Sequence, residues 1–274
     1  IRDGEISYQL QEPMHGENEV LREAVNNIGD GIRNAVETSM KDERLKADLI
    51  TNVSHDIKTP LTSIINYVDL MKREHIQDEK LRGYIEILDA KSQRLKQLTE
   101  DLVEASKISS GNITYVFERI NLTELLNQAL GEFSEKFEQK GLVMVDNLAG
   151  QSAYILADSR RMWRVIENLF NNIYKYAMEH TRIYLTMTKE EDEAAGKVSV
   201  AVKNISAQPL NIDASELTER FIRGDVSRST EGSGLGLSIA KNLTEAQHGS
   251  FEIYLDGDLF KVTITFPLAE EEEK

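Results

Sequence analysis

Cysteine is absent from the 274 residues. That excludes disulfides, thiolate metal sites and a cysteine nucleophile, and it suits a reducing cytosol. Positive charge is scarce: 32 Lys and Arg stand against 47 Asp and Glu, a formal net charge of −15. A surface of that sign repels backbone phosphate, so neither nucleic acid nor an anionic membrane face is an expected partner. No apolar run approaches the ~20 residues needed to span a bilayer, and no signal peptide is present. The chain therefore reads as soluble, and its start at Ile1 rather than methionine suits a fragment of something longer. What is present, 40% hydrophobic and 29% charged residues, excludes a disordered chain. The length is enough for roughly two domains, each with its own core.

Periodicity divides the chain into three parts and a tail. Residues 1–41 are polar, with a helical apolar rhythm from Val20 to Val36. Residues 42–110 read as two long helices. The first carries a stripe at Leu45, Leu49, Val53, Ile57, Leu61, Ile64, Ile65 and Val68. The second carries Leu81, Ile85, Leu88, Ser92, Leu95, Thr99 and Leu102 at alternating spacings of four and three, the heptad signature. Charged Lys72 to Lys80 suits the hairpin loop between them. Such a hairpin cannot bury its seam alone, and a dimeric four-helix bundle is the economical solution. After Ser109-Ser110-Gly111-Asn112, strand-like runs alternate with helices over 111–268. The runs are 113–117, 142–145, 154–156, 182–188, 197–202, 250–255 and 260–266. Asn121 opens a helix, Asp158 or Ser159 caps another running to about Ala177, and a third follows the glycines at 232–236. The fold class is α+β: a helical hairpin, then an α/β sandwich with helices on one face of a mixed sheet. Residues 269–274 form an acidic tail.

Three motifs carry chemistry. Ser54-His55-Asp56-Ile57-Lys58-Thr59-Pro60 lies in the first helix, with His55 turned away from the apolar stripe. Asp56 can fix one ring nitrogen of the imidazole and leave the other nucleophilic. Pro60 removes a backbone hydrogen bond one turn later and should bend the helix. A lone histidine in such a helix is more often an ordinary solvent-facing residue. Asn168, Asn172, Lys175 and Tyr176 form the second motif, with Asn168, Asn172 and Lys175 on the side opposite Ile166, Leu169, Phe170 and Ile173. Asparagine is a poor helix former, so the run asks for a reason. An amide oxygen of Asn172 suits a hard cation and Lys175 suits phosphate; a plain solvated face is the alternative. Third, Gly232-Ser233-Gly234-Leu235-Gly236-Leu237 precedes a helix whose N-terminus can receive an anion. The long aperiodic stretch before it, from Ile205 to Glu231, reads as a lid.

In this order the three motifs resemble those of a two-component sensor histidine kinase, over essentially the whole chain. His55-Asp56-x-Lys58-Thr59-Pro60 matches the phosphoacceptor box, Asn168 to Tyr176 the N box, and Gly232-x-Gly234-Leu235-Gly236-Leu237 the second glycine box. Glu219-Arg220-Phe221 and Arg223-Gly224-Asp225 are similar to the segment between the last two. Gly4-Glu5-Ile6-Ser7-Tyr8 with Asn18-Glu19-Val20-Leu21 resembles, more loosely, the end of a HAMP relay domain. The resemblance implies membrane helices upstream of Ile1 and a cytoplasmic location for this portion. It implies a homodimer in which His55 attacks the γ-phosphate of ATP while Asp56 polarises the ring. Asn172 would hold Mg²⁺ with Asn168 nearby, Lys175 would meet phosphate, and Tyr176 would line the pocket. The phosphoryl group would pass to an Asp of a response regulator, and Thr59 stands where the family orients water for the reverse, phosphatase reaction.

One departure stands out. The family's first glycine box reads Asp-x-Gly-x-Gly, whereas here Asn204-Ile205-Ser206-Ala207-Gln208 occupies that place. Asn204 can accept the adenine amino hydrogen bond but carries no charge, and charge-assisted bonds are roughly twice as strong. A catalytically weak or phosphatase-only relay of the same fold is therefore the alternative. Another ATP-clamp protein, a chaperone or repair ATPase, is less compatible because such proteins lack the His-Asp-x-Lys-Thr-Pro helix.

Overall fold

A computed structural model describes residues 17–74, 76–110, 113–148, 150, 152–190, 196–211, 213–214, 216–218 and 234–269. Gly4 to Tyr8, His15, His75, Glu219 to Asp225, Gly232 and the acidic tail from Glu270 lie outside the described residues, as does the side chain of His55.

Helix α1 (Glu17–Arg73) runs unbroken for 57 residues, about 85 Å at 1.5 Å per residue. The division expected after residue 41 falls inside it, and the helix also continues through Pro60. A short loop returns the chain into α2 (Glu79–Ser109), where Asp78 Oδ1 accepts hydrogen bonds from the backbone N–H groups of Lys80 and Leu81. The ion pair of Lys72 with Asp89 marks the antiparallel register. Being exposed, it adds little stability. The heptad stripe splits into two lines. Ile85 and Ser92, with Leu61 and Val68 of α1, are buried between the two helices. Leu81, Leu88 and Leu95, with Ile57, Ile64 and Met71 of α1, form a second line that the hairpin leaves open to solvent.

Why does the second half fold as a sandwich? Along β5 (Lys197–Ile205), Val198, Val200, Val202 and Asn204 are buried while their neighbours are only half covered or exposed. That period of two is a strand packed on one face. The five-stranded sheet has the order β2 (Val143–Asp146), β4 (Arg182–Glu190), β5, β7 (Leu259–Pro267) and β6 (Ser250–Asp256). Only the β2–β4 pair is parallel. Against its inner face pack α3 (Leu122–Gln139), α4 (Ser159–Tyr176) and α5 (Gly236–Glu245). The rings of Phe133, Phe137 and Phe170, with centroids 5.4–5.8 Å apart, form the centre of the α3–α4 contact. This is the sandwich expected from the sequence.

One strand lies elsewhere than the sequence suggests. Ile113 to Phe117 is irregular, and the strand is β1 (Glu118–Asn121), paired antiparallel with β3 (Tyr154–Ala157). The apolar residues before it are used differently: Ile113 and Tyr115 pack on the core, and Phe117 stacks on His248. The Val116 N–H is taken by the Asp158 carboxylate at 2.9 Å, so it is not available to a ladder.

That carboxylate also settles how α4 begins. Asp158 Oδ1 accepts from the N–H groups of Arg160 and Arg161, both at 3.1 Å, so Asp158 and not Ser159 is the cap. Burial alone would raise the Asp158 pKa, but the three backbone donors and nearby Arg161 outweigh it and hold it below the usual carboxylate range. A depressed folded pKa stabilises the fold above the unfolded value of about 3.9 and is lost as pH falls through the folded value. Asp158→Ala should cost ~1–2 kcal/mol of stability in urea unfolding at neutral pH, from the lost cap and the Val116 bond. The gap to the unmodified protein should close in acid.

Candidate functional site

The site is built around α4, whose start is fixed by Asp158 and whose end is tied to the sheet. Tyr176 accepts the Ala207 N–H at 2.8 Å, Ile205 accepts the Met178 N–H at 2.8 Å, and Ala177 bridges Ser206. These bonds bring the C-terminal end of α4 beside the end of β5, and hence Lys175 and Tyr176 near Asn204. Lys175 is exposed and Tyr176 partly buried.

Asn168 lies where the wheel reading did not place it. It is not on a solvated face: only 8% of it is exposed. The start of α5 covers it, with Asn168 Oδ1 3.4 Å from where a Cβ would stand on Gly236. Glycine at 236 therefore permits this close approach. The amide nitrogen of Asn168 is buried without a hydrogen-bond partner. One turn further along α4, Asn172 is partly exposed and open to a ligand.

Asn204 is 3% exposed, in the same inward register as Val200 and Val202. Its Nδ2 donates to the Ile205 carbonyl at 3.2 Å, which leaves Oδ1 buried with no partner. A buried orphan acceptor costs roughly 1–3 kcal/mol. Natural folds tolerate few of them, and two at one site call for an explanation.

The third element is the start of α5. Gly234 has φ +72°, the left-handed region that favours glycine, and Leu235 is buried as the first anchor of the helix. Among the described residues no side chain caps α5, and Ser238 Oγ turns back to the Leu235 carbonyl at 2.9 Å. First-turn N–H groups such as those of Gly236 and Leu237 carry the positive end of the helix dipole and suit an anion. Thus α4, the β5 end and the α5 start bring Asn168, Asn172, Lys175, Tyr176, Asn204, Gly234, Leu235, Gly236 and Leu237 to one side of the sandwich. A cavity of about 310 Å³ lies mainly on the opposite sheet face, lined by Arg182, Tyr184, Thr186, Lys203, Ile205 and Leu259, with Asn204 at its edge as well.

His55, Asp56 and Thr59 belong to the other unit, on α1. Asp56 and Thr59 are exposed, and Tyr67, two to three turns below, is 68% exposed. Ser54 beside them is buried, with its Oγ unpartnered. Counting seventeen residues back from Lys72 and forward from Asp89 sets His55 level with Ser106 of α2.

The sequence reading missed one cluster. Arg164 of α4 donates to Asp101 Oδ1 at 2.6 Å and Glu104 Oε2 at 2.9 Å on α2, and to Glu167 at 2.7 Å. Arg161 reaches Glu104 Oε1 at 3.2 Å. The only trace in the sequence is that both the acidic and the basic pair have a spacing of three, which sets each pair on one helix face.

A helical hairpin that carries a histidine is followed here by an α/β sandwich with a polar cluster at the end of α4. The family His Kinase A (phospho-acceptor) domain matches residues 45–111. The family Histidine kinase-, DNA gyrase B-, and HSP90-like ATPase matches residues 157–270. The chain belongs to the two-component sensor histidine kinases. It is 33% identical over 210 residues to the sensor protein VanSC of Enterococcus gallinarum, covering 76% of this chain and 56% of that protein. With the sensor histidine kinase WalK of Bacillus subtilis (strain 168) it shares 24% over 237 residues, 85% of this chain and 38% of WalK. It thus spans about half or less of these relatives. Among solved structures, full-length ShkA in complex with AMPPNP superposes with a TM-score of 0.69 at 21% identity, over 82% of this chain and 46% of that one. The histidine kinase ThkA in complex with the response regulator protein TrrA gives 0.58 at 25% identity, over 88% and 67%. Among the described residues, no helix is long and apolar enough to cross a membrane.

Proposed function

We propose that this chain is the cytoplasmic portion of a membrane-anchored sensor kinase that phosphorylates His55 from Mg-ATP and passes the phosphoryl group to an Asp of a response regulator. The observation that carries this reading is the pair of buried, unpartnered amide atoms, Asn168 Nδ2 beside the start of α5 and Asn204 Oδ1 at the end of β5, next to the end of α4. A nucleotide supplies an amino donor for Asn204 Oδ1 and an acceptor for Asn168 Nδ2, and its anionic oxygens suit the α5 N–H groups and Lys175. The nucleotide-bound relative ShkA supports ATP as the ligand. Asn172 fits Mg²⁺ because an amide oxygen is a hard donor, with Asn168 close enough to orient the metal's waters. When bound, the metal neutralises phosphate charge; the chain's own part is positioning.

In the transfer, a ring nitrogen of His55 forms the N–P bond as the bond from the γ-phosphorus to the bridging oxygen breaks, and ADP leaves. Asp56 polarises the other nitrogen and stabilises the positive charge that develops on the ring. The regulator docks on the exposed side of α1 near Ser63 and Tyr67; a kinase–regulator complex of a relative supports a regulator as partner. Thr59 orients water for phosphatase activity. The protein works as a homodimer through the open line Ile57, Ile64, Met71, Leu81, Leu88 and Leu95.

Incubation with Mg²⁺ and γ-labelled ATP should give an acid-labile, alkali-stable label, and His55→Ala should carry none. Nucleotide binding without label would favour the second reading, a phosphatase-only or weak relay, which the neutral Asn204 supports.

A further inference from the structure

Helices α3, α4 and α5 all pack on the inner face of the five-stranded sheet, so among the described residues the outer face has no covering layer. A sheet wet on one side is expected to turn polar residues to the water. One half of the outer face obeys. Thr188, Ser199, Thr263, Thr265 and Ser250 lie there, with the hydroxyls of Ser199 and Thr265 2.9 Å apart. The half nearer the end of β5 departs from the rule. Register sets Val145, Tyr184, Lys203, Lys261 and Tyr254 in one row across all five strands. Val145, Tyr184 and Tyr254 are exposed, as is Val143 beside them. The cavity of about 310 Å³ opens in this half, where Arg182, Ile205 and Leu259 adjoin the row.

The charges on this patch are the feature that asks for a partner. Lys203 and Lys261 stand directly opposite each other on β5 and β7, and like charges in that position destabilise a sheet. Acids outnumber bases by 47 to 32 in this chain. Yet among the described residues none of Arg182, Lys203 and Lys261 forms an ion pair. Asp256 stands at the border of the patch, across from Leu259, and is exposed. A carboxylate laid between the two lysines relieves a repulsion that the domain alone leaves in place.

We propose that this half of the outer sheet face is a docking surface for an acidic segment of a partner protein, with one aromatic side chain of the segment seated in the cavity. The row extends about 19 Å across the strands, the reach of roughly six residues of extended chain. The cavity is at the small end of ligand pockets, a size for one anchor and not for a whole ligand, and Tyr184 offers that anchor a ring to stack on. Carboxylates on either side of the anchor meet Arg182, Lys203 and Lys261. A lipid surface fits less well. Membrane-reading patches carry roughly four to eight cations, and a chain of net charge −15 is repelled by anionic lipid. The inference goes beyond the kinase reading, and its test needs no phosphoryl transfer.

The probe is a fluorescent peptide of glutamates around one central tryptophan, titrated with the full chain and followed by anisotropy. Saturable binding at low salt is expected, weakening as salt rises. Serine in place of the tryptophan, or Tyr184→Ser in the protein, should weaken it at least ~5-fold. Lys261→Glu gives the sharper reading, because it moves binding and stability in opposite directions. Binding should fall ~10-fold, since an attraction becomes a repulsion. The urea midpoint should hold or rise, since the like-charge pair with Lys203 becomes an opposite-charge one. A misfolded variant would lose both. Absence of saturable binding, or binding that Lys261→Glu leaves unchanged, would overturn the proposal. So would tighter binding to phosphatidylserine vesicles than to the peptide, or self-association that Lys261→Glu abolishes in a protein that ignores the peptide. Those last two results would give the surface to lipid or to a second copy of this chain.

Discussion

Leu88→Glu will turn a dimer into a monomer, seen by light scattering as a fall from twice 31.0 kDa to 31.0 kDa. Leu88 is 49% exposed in the single chain, while Ile85 three residues earlier is 7% exposed. The two belong to one heptad stripe but to different contacts: Ile85 is already buried by α1, and Leu88 is not. Burying a leucine fully is worth ~1.5–3 kcal/mol, and a two-fold axis counts each substitution twice. Loss of ~3 kcal/mol or more weakens association at least ~100-fold, before the cost of bringing two carboxylates into an apolar seam. Ile64→Glu on the facing line of α1 should act alike. Ile85→Ala should instead lower the unfolding midpoint of the hairpin. A dimer that survives Leu88→Glu would move the interface off this line.

Asn204→Leu will separate binding from stability. The leucine has a similar shape but neither accepts nor donates. Losing the acceptor leaves the amino group of the base unpaired in a buried site, for ~10–100-fold weaker ATP binding. Stability should hold or rise, because the variant no longer buries an unsatisfied oxygen. The Ile205 carbonyl that Asn204 served keeps its bond from the Met178 N–H. Titration with inosine triphosphate, which has a 6-oxo group in place of the amino group, gives the sharper reading. The unmodified protein should prefer ATP and the leucine variant should not. Equal affinity for the two nucleotides in the unmodified protein would remove Asn204 from base recognition. Asn204→Asp restores a charged acceptor, but its second oxygen then faces the Ile205 carbonyl where Nδ2 now donates. We expect that change to cost stability, since an ionised carboxylate would be buried at 3% exposure.

Local signals carried much of the architecture. The heptads of α2, the cap at Asn121 and the strand from Lys197 each follow from short-range stereochemistry, and each appears as expected. Where a longer-range partner competes, local signals misplace elements. Ile113 to Phe117 has strand-forming residues, yet Asp158, forty-two positions away from Val116, takes the backbone donor a strand would need. The periodicity of α4 sets Asn168 opposite its buried side because one helix seen alone has only one buried face. The arrival of Gly236 makes a second.

By itself the sequence determined the order of the parts and marked the histidine box and the polar and glycine motifs proposed for nucleotide, because these depend on spacing within single elements. It also drew attention to Asn204 as a neutral residue at the end of a strand. Only the tertiary structure decided which leucines a single chain leaves uncovered and which end of the Asn204 amide is free. It alone also brought two acids of α2 against two arginines of α4. Those facts depend on how separate helices and strands meet, and a contact across some sixty residues leaves no period in the chain for a reader to find.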